Sequence, residues 1–289
     1  MGSNLQDRID PRGARARGFS LFDLLVSMAV LALLVAILLP AIMGAKERAN
    51  VIRCANNLRQ LGLAQQMFAF EHDGKLPTTV FSAEDETYEF SPEDTVYLRV
   101  DSSHRKFLYG RSDRQRWDGL GKLFEREYVS EPSLYYCPSY DGEHTLDVYR
   151  DQFLGEPGQI VGNYQFRLVD GHEYLSSMPA RRALVTNSIR DRFELAHDDG
   201  VNVLRVDGSV EWMNDTSGAL AAILSSSQAR TDGSDGRREV PVVDQVWELL
   251  DAGRIILSPD DDRLNGFGDG DDHDSQRGGR RDGQVRSGG

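Results

Sequence analysis

The stretch RGFSLFDLLVSMAVLALLVAILLPAI, from Arg17 to Ile42, decides how the rest of the chain is read. From Phe19 to Ile42 it runs 24 residues with a single charge, Asp23. A helix of that length rises about 36 Å, at about 1.5 Å per residue, against a hydrocarbon core of about 30 Å. Residues 1–18 before it are polar and carry Arg8, Arg12, Arg15 and Arg17 against Asp7 and Asp10. The positive-inside rule keeps that side cytoplasmic and sends the C-terminal body across. Mean hydropathy over all 289 residues is -0.46, which excludes a polytopic transporter. One membrane pass carrying a larger polar body is the expectation.

The helical pattern does not stop at the membrane. Val51, Cys54, Ala55, Leu58, Leu61, Gly62, Phe68 and Ala69 fall on one face at helical spacing, with Gln65 as a polar exception. Arg53, Asn56, Arg59 and Gln60 lie largely elsewhere. The spacing predicts one helix over residues 19–71, transmembrane over 19–42 and amphipathic over 43–71, where it docks on a soluble domain. His72-Asp73-Gly74-Lys75-Leu76-Pro77 then stops it. A cleaved secretory signal is the alternative, with its cut between Leu39 and Ala45. The apolar run is longer than an ordinary signal core, however, and flows unbroken into the amphipathic pattern.

Asp23 needs a reason. A carboxylate at the centre of a membrane helix costs on the order of 2.5–3.5 kcal/mol, less near an end. This helix offers it no cation within a turn or two. A cut before Phe19 would create an α-amino group four residues upstream. In an assembly of parallel helices that amine could meet Asp23 of a neighbour and fix the axial register. The alternative is a carboxylate that snorkels to the headgroups. Pro40 removes a backbone donor inside the run and should bend or locally melt it.

Taken together, the glycine, basic leader, acid and uninterrupted apolar run, with R-G-F-S-L-F-D-L-L-V from Arg17 to Val26, resemble the signal of type IV prepilins and type II secretion pseudopilins. The resemblance implies that a prepilin peptidase cuts after Gly18 and methylates Phe19. It implies a bacterial inner-membrane protein whose helix packs with like subunits, in a periplasmic or surface fibre. The family's usual acid is glutamate; Asp23 is one methylene shorter. Pro40 matches a position where pilin helices often carry a kinking proline.

The whole chain is acidic, with 33 Lys+Arg against 46 Asp+Glu and a net charge of -13 despite its basic leader, so a nucleic-acid partner is not expected. Val80 to Asp101 reads as an exposed acidic loop. Strand candidates follow at Tyr164–Val169, Ala183–Ile189, Val201–Val206 and Ser209–Met213. Asp207-Gly208 makes a two-residue hairpin turn between the last two. That turn sets Val203 opposite Trp212 and Arg205 opposite Val210, with Val201, Val203, Val210 and Trp212 on the core face. Gly218–Ala229 and Val242–Leu250 read as helices. The fold class expected is α+β, a long helix packed on a small antiparallel sheet, and pilin-like by the resemblance. After Ser258, residues 258–289 are rich in Gly, Asp and Arg and are expected to be a disordered tail. Their DGDD run lacks the ligand spacing of a calcium loop.

Several blocks of the body also resemble a bacterial prepilin-like group with an H-X9-DG segment, matched here by His197, Asp207 and Gly208. The same group carries the segments found here at Cys54–Ala64 (C-x-N-N-L-x-Q-L-G-L-A), W-D-G-L-G and Y-Y-C-P-S. Read from the residues alone, His197 fixes the start of the hairpin by hydrogen bonding and Asp207-Gly208 makes the turn. Metal ligation would need more convergent ligands than one hairpin offers, and no nucleophile motif stands nearby. No catalytic residue, metal or cofactor is therefore expected. Cys54, on the docking face of the helix, and Cys137, in an apolar Tyr-rich segment, are a candidate disulfide outside the cytoplasm, with two buried free thiols as the alternative. The leading function is a structural prepilin-like subunit. A monomeric membrane-anchored binding protein is second, and a metal-dependent enzyme using His197 is last.

Overall fold

The computed structural model describes residues 20–79, 96–101, 116–167, 174–189, 195–215, 217–228, 242–253 and 255. Gly18, Phe19, residues 80–95 of the expected acidic loop and the tail from residue 258 lie outside the described residues. The chain divides into a unit Met1–Ile255, which holds everything below, and a unit Ile256–Gly289.

Helix α1 spans Leu21–Glu71, 51 residues without a break. Ser20 caps it, its hydroxyl accepting the Phe22 N–H at 3.3 Å. From Ser20 to Lys46 every residue is exposed, and this half is long and apolar enough to cross a membrane. The helix continues through Pro40, so the proline does not melt it locally. From Asn50 onward one face is buried: Asn50, Cys54, Leu58, Leu61, Gln65 and Phe68 recur every three or four residues. The stop is a turn in which the Gly74 N–H returns to the Ala69 carbonyl at 2.7 Å.

Two antiparallel sheets accompany α1, where a single small sheet was expected. The first has order β2-β1-β3, from β1 (Tyr97–Val100), β2 (Arg116–Trp117) and β3 (Ile160–Val161). Its presence corrects the reading of the whole of Val80 to Asp101 as exposed loop: Val96, Leu98 and Val100 are core residues. The charge on Arg99 disguises that alternation. Its guanidinium is buried and donates to the carbonyls of Gly158 (2.8 Å), Gln152 (3.0 Å) and Glu156 (2.7 Å). Short helices α2 (Gly121–Glu125) and α3 (Leu146–Phe153) flank this sheet. A Cβ at Gly121 would fall 1.8 Å from the Leu98 carbonyl oxygen, which explains the second glycine of W-D-G-L-G.

The second sheet is a meander, β4 (Tyr164–Phe166), β5 (Ala183–Asn187), β6 (Gly200–Arg205) and β7 (Val210–Asn214). The hairpin register differs by one residue from the expected one: Val203 pairs with Glu211, Leu204 with Val210 and Asn202 with Trp212. The cause is the turn. Its loop holds three residues, Val206, Asp207 and Gly208, closed by the Gly208 N–H to Arg205 carbonyl bond at 2.9 Å, with Gly208 at φ 82°. A type I turn followed by a left-handed glycine adds one residue to the two-residue loop and slips the pairing. Asp207 supports it by accepting from the Ser209 N–H (2.9 Å) and hydroxyl (2.6 Å).

The slip also corrects the core face. Asn202 and Leu204 face α1: Asn202 donates to the Val51 carbonyl at 3.1 Å, and Leu204 lies against Gly62. On the other face Arg205 reaches the Leu250 carbonyl of α5 (Val242–Ala252) at 3.2 Å. The four-stranded sheet is therefore covered on both sides, and all of β6 is buried. Asp251 of α5 ties that side down, accepting from the Ala183 N–H and the Arg167 guanidinium, both at 2.7 Å. Asp215 starts α4 (Ala219–Gln228) by accepting from the Ala219 and Leu220 N–H groups at 2.7 and 2.9 Å.

Candidate functional site

The exposed end of α1 holds the first candidate residue. Asp23 is the third residue of the helix, and its carboxylate accepts the Ser20 N–H at 3.3 Å while Ser20 caps the helix. This capping box gives the acid a local partner that spacing to cations did not reveal, and a carboxylate in the first turn also suits the helix dipole. The S-L-F-D spacing from Ser20 to Asp23 was the signal.

The second site is buried where α1 meets the four-stranded sheet. Cys54 comes from α1, Cys137 from the loop after the 3₁₀ turn Pro132–Tyr135, and His197 from the segment before β6. One ligand atom from each lies within 4.8 Å of the other two. The Cys137 Sγ and His197 Nε2 are 3.3 Å apart, and the cysteines are free thiols. On its other side, His197 Nδ1 lies 2.5 Å from Glu47 Oε1. A carboxylate can only accept, so Nδ1 carries a proton, and Nε2 faces the cysteines, as a lone pair in the neutral ring and as a donor to the Cys54 thiolate in the protonated one. Glu47 is held in turn by the Ser139 hydroxyl, 2.7 Å from Oε2.

The Cys54 sulfur sits among donors. Asn187 Nδ2 approaches at 2.9 Å and the Tyr164 hydroxyl at 3.4 Å. These two residues are cross-strand partners in β4 and β5, so sheet register delivers both to one point. Their directions are fixed from behind. Asn187 Oδ1 accepts the Asn202 N–H at 2.8 Å, which turns its amino group toward sulfur. The Tyr164 oxygen accepts from Asn57 at 3.4 Å, which leaves its proton for Cys54.

Burial pushes the Cys54 thiol up, but hydrogen bonds from Cys137, His197, Tyr164 and Asn187 outweigh it and hold the thiol well below its ordinary range. Cys137 moves the other way, raised first by its hydrogen bond to Cys54 and then by burial. Burial alone would lower His197, yet its bonds to Cys54 and Glu47 raise it overall. Burial would raise Glu47, and the bonds from His197 and Ser139 lower it.

His197 and Asp207-Gly208 do not form one constellation. They stand at opposite ends of β6, so the H-X9-DG spacing measures one hairpin strand, with a histidine before it and a turn after it. His197 spends its hydrogen bonds on α1 and the Cys137 loop rather than on the hairpin. The convergent ligands missing from the hairpin arrive from those two other elements. Glu47 was missed in the sequence, although it lies two helical turns before Cys54 and so on the same face. Asn187 and Tyr164 carried no local signal, because only strand pairing brings them in.

A cleft of about 610 Å³ opens beside the cluster, lined by Glu47, Val51, Ile52, His197, Asp198 and Trp212 among others. The Cys137 side borders a second cleft of about 570 Å³. Comparison with protein-family models, curated proteins and solved structures found no match for this chain.

Proposed function

We propose that this chain is a structural prepilin-like subunit, inserted with its N-terminus in the cytoplasm. In this reading a prepilin peptidase cuts after Gly18 and methylates Phe19, and the mature chain assembles with like subunits into a pilus or type II secretion pseudopilus. The observation that carries the reading is the division of α1: one unbroken 51-residue helix whose first half is apolar and wholly exposed and whose second half is docked on a sheet. A lone membrane anchor needs only about 20 apolar residues and no rigid continuation into its domain. A subunit that must transmit helix packing in a fibre core to a body on the outside needs that continuity. Asp23, at the exposed end, is available to a neighbour's new α-amino group once the leader is removed.

The test is association through α1. Two differently tagged copies expressed together in native membranes should co-purify, and the Asp23→Asn variant should co-purify less. A processed protein that remains strictly monomeric would favour the second reading, a membrane-anchored binding protein. That reading draws support from the open cleft at Trp212 and His197.

A further inference from the structure

We propose that Cys54, Cys137 and His197 bind one thiophilic d10 metal ion, Zn²⁺ or Cu⁺, which clamps α1 to the sheet domain. The proposal does not depend on fibre assembly.

Four observations converge on it. The three ligand atoms lie within 4.8 Å of one another, and the cluster is buried. A tetrahedral zinc with Zn–S of about 2.3 Å and Zn–N of about 2.0 Å sets sulfur and nitrogen about 3.5 Å apart and two sulfurs about 3.8 Å apart. The 3.3 Å between Cys137 Sγ and His197 Nε2 already matches that edge. The Glu47 carboxylate on Nδ1 is the outer contact that metal-bound histidines use to fix tautomer and ring direction. Asn187 and Tyr164 both offer protons to the Cys54 sulfur, which suits a thiolate that only accepts. Two thiolates and an imidazole form a soft donor set, which selects zinc or cuprous ion over magnesium or calcium.

The alternatives use the cluster less fully. A disulfide would need the sulfurs at about 2.05 Å and would leave the Glu47–His197 pair without a task. A cysteine nucleophile with His197 as its base would need substrate at its sulfur, and both thiols are buried. In the metal reading each thiol releases its proton to solvent on binding, and neutral His197 donates its Nε2 lone pair. The fourth position is left to a water molecule on zinc or to nothing on a trigonal cuprous ion. Because the ligands come from α1, the Cys137 loop and the segment before β6, the ion adds one coordinate cross-link to three elements otherwise joined by packing and by hydrogen bonds such as those of Glu47 and Asn202.

The experiment is metal analysis of the full-length protein, extracted from native membranes in mild detergent without chelators. Native mass spectrometry and elemental analysis should give one zinc or copper per chain, with both cysteines reduced after denaturation. The variants Cys54→Ser, Cys137→Ser and His197→Gln should lose it. To separate ligand loss from misfolding in these variants, Glu47→Gln provides the control: Glu47 is half exposed, and losing its carboxylate should weaken affinity by about 10–100-fold while the fold persists. Cobalt added to the demetallated wild type should show thiolate-to-metal charge-transfer absorption. A folded protein with free thiols and no affinity for zinc, copper or cobalt would overturn the proposal. So would a chain two mass units light, with Cys54 bonded to Cys137 and no metal.

Discussion

Gly62 of α1 faces Leu204 of β6 so closely that a Cβ at Gly62 would stand 2.6 Å from Leu204 Cδ1. Leu204 is fully buried between helix and sheet, so it has little room to turn away. Gly62→Val should therefore cost about 1–3 kcal/mol through overpacking, despite the loss of a glycine from a helix. Chemical denaturation of the full-length protein in detergent measures it, and an unchanged midpoint would mean that the helix is docked more loosely.

The contact at Gly121 is stricter. Its nearest neighbour is backbone, the Leu98 carbonyl oxygen, which cannot rotate aside as a side chain can. Gly121→Ala must push α2 away from β1, at or above the upper end of the overpacking range, about 3 kcal/mol. Poor folding yield or a large fall in thermal midpoint is expected. A stable Gly121→Ala protein would contradict this packing.

Arg205 is buried between one face of the hairpin and α5. It pairs with Glu211 at 2.8 Å and donates to the carbonyls of Arg181 and Leu250. Lysine keeps the charge but not the planar fork that serves several acceptors at once. Arg205→Lys should loosen α5 first, seen as faster amide exchange over Val242–Ala252 with α1 little changed. Uniform acceleration throughout the protein would indicate that Arg205 supports the whole fold instead.

Two roles of Asp23 can be separated. Ser20→Ala removes the cap that stabilises the first turn by about 1 kcal/mol but keeps the carboxylate. Asp23→Asn keeps an oxygen that can accept from Ser20 but loses the charge. If the charge serves assembly, Asp23→Asn lowers association while leader removal stays largely intact, and Ser20→Ala has little effect on either. Equal loss of association in both variants would assign Asp23 to the helix cap alone.

How much could be read from the chain depended on how local each signal was. The buried face of α1 was legible because Cys54, Leu58, Leu61 and Phe68 repeat at helical spacing over many turns. Strands β5 to β7 were legible as short runs rich in Val and Leu between turn residues. The hairpin register was not, because Asp207-Gly208 fits both a two-residue turn and the end of a three-residue one. Strand β1 was hidden by Arg99, whose partners lie 53 to 59 residues away at Gln152, Glu156 and Gly158. The cluster was half visible: Cys54, Cys137 and His197 each stood out, but nothing in the sequence shows that β4–β5 pairing brings Tyr164 and Asn187 to Cys54. Nor does any motif tie Glu47 to a histidine 150 residues further on.

The most direct test of the central claim is mass spectrometry of the N-terminal peptide of the protein from its native membrane. Prepilin processing predicts a peptide that begins at Phe19 with one added N-methyl group. A peptide that retains Met1, or one that begins near Ala45, would contradict it. The first would leave a plain membrane anchor; the second would leave a secreted domain that has lost Asp23 with the removed segment.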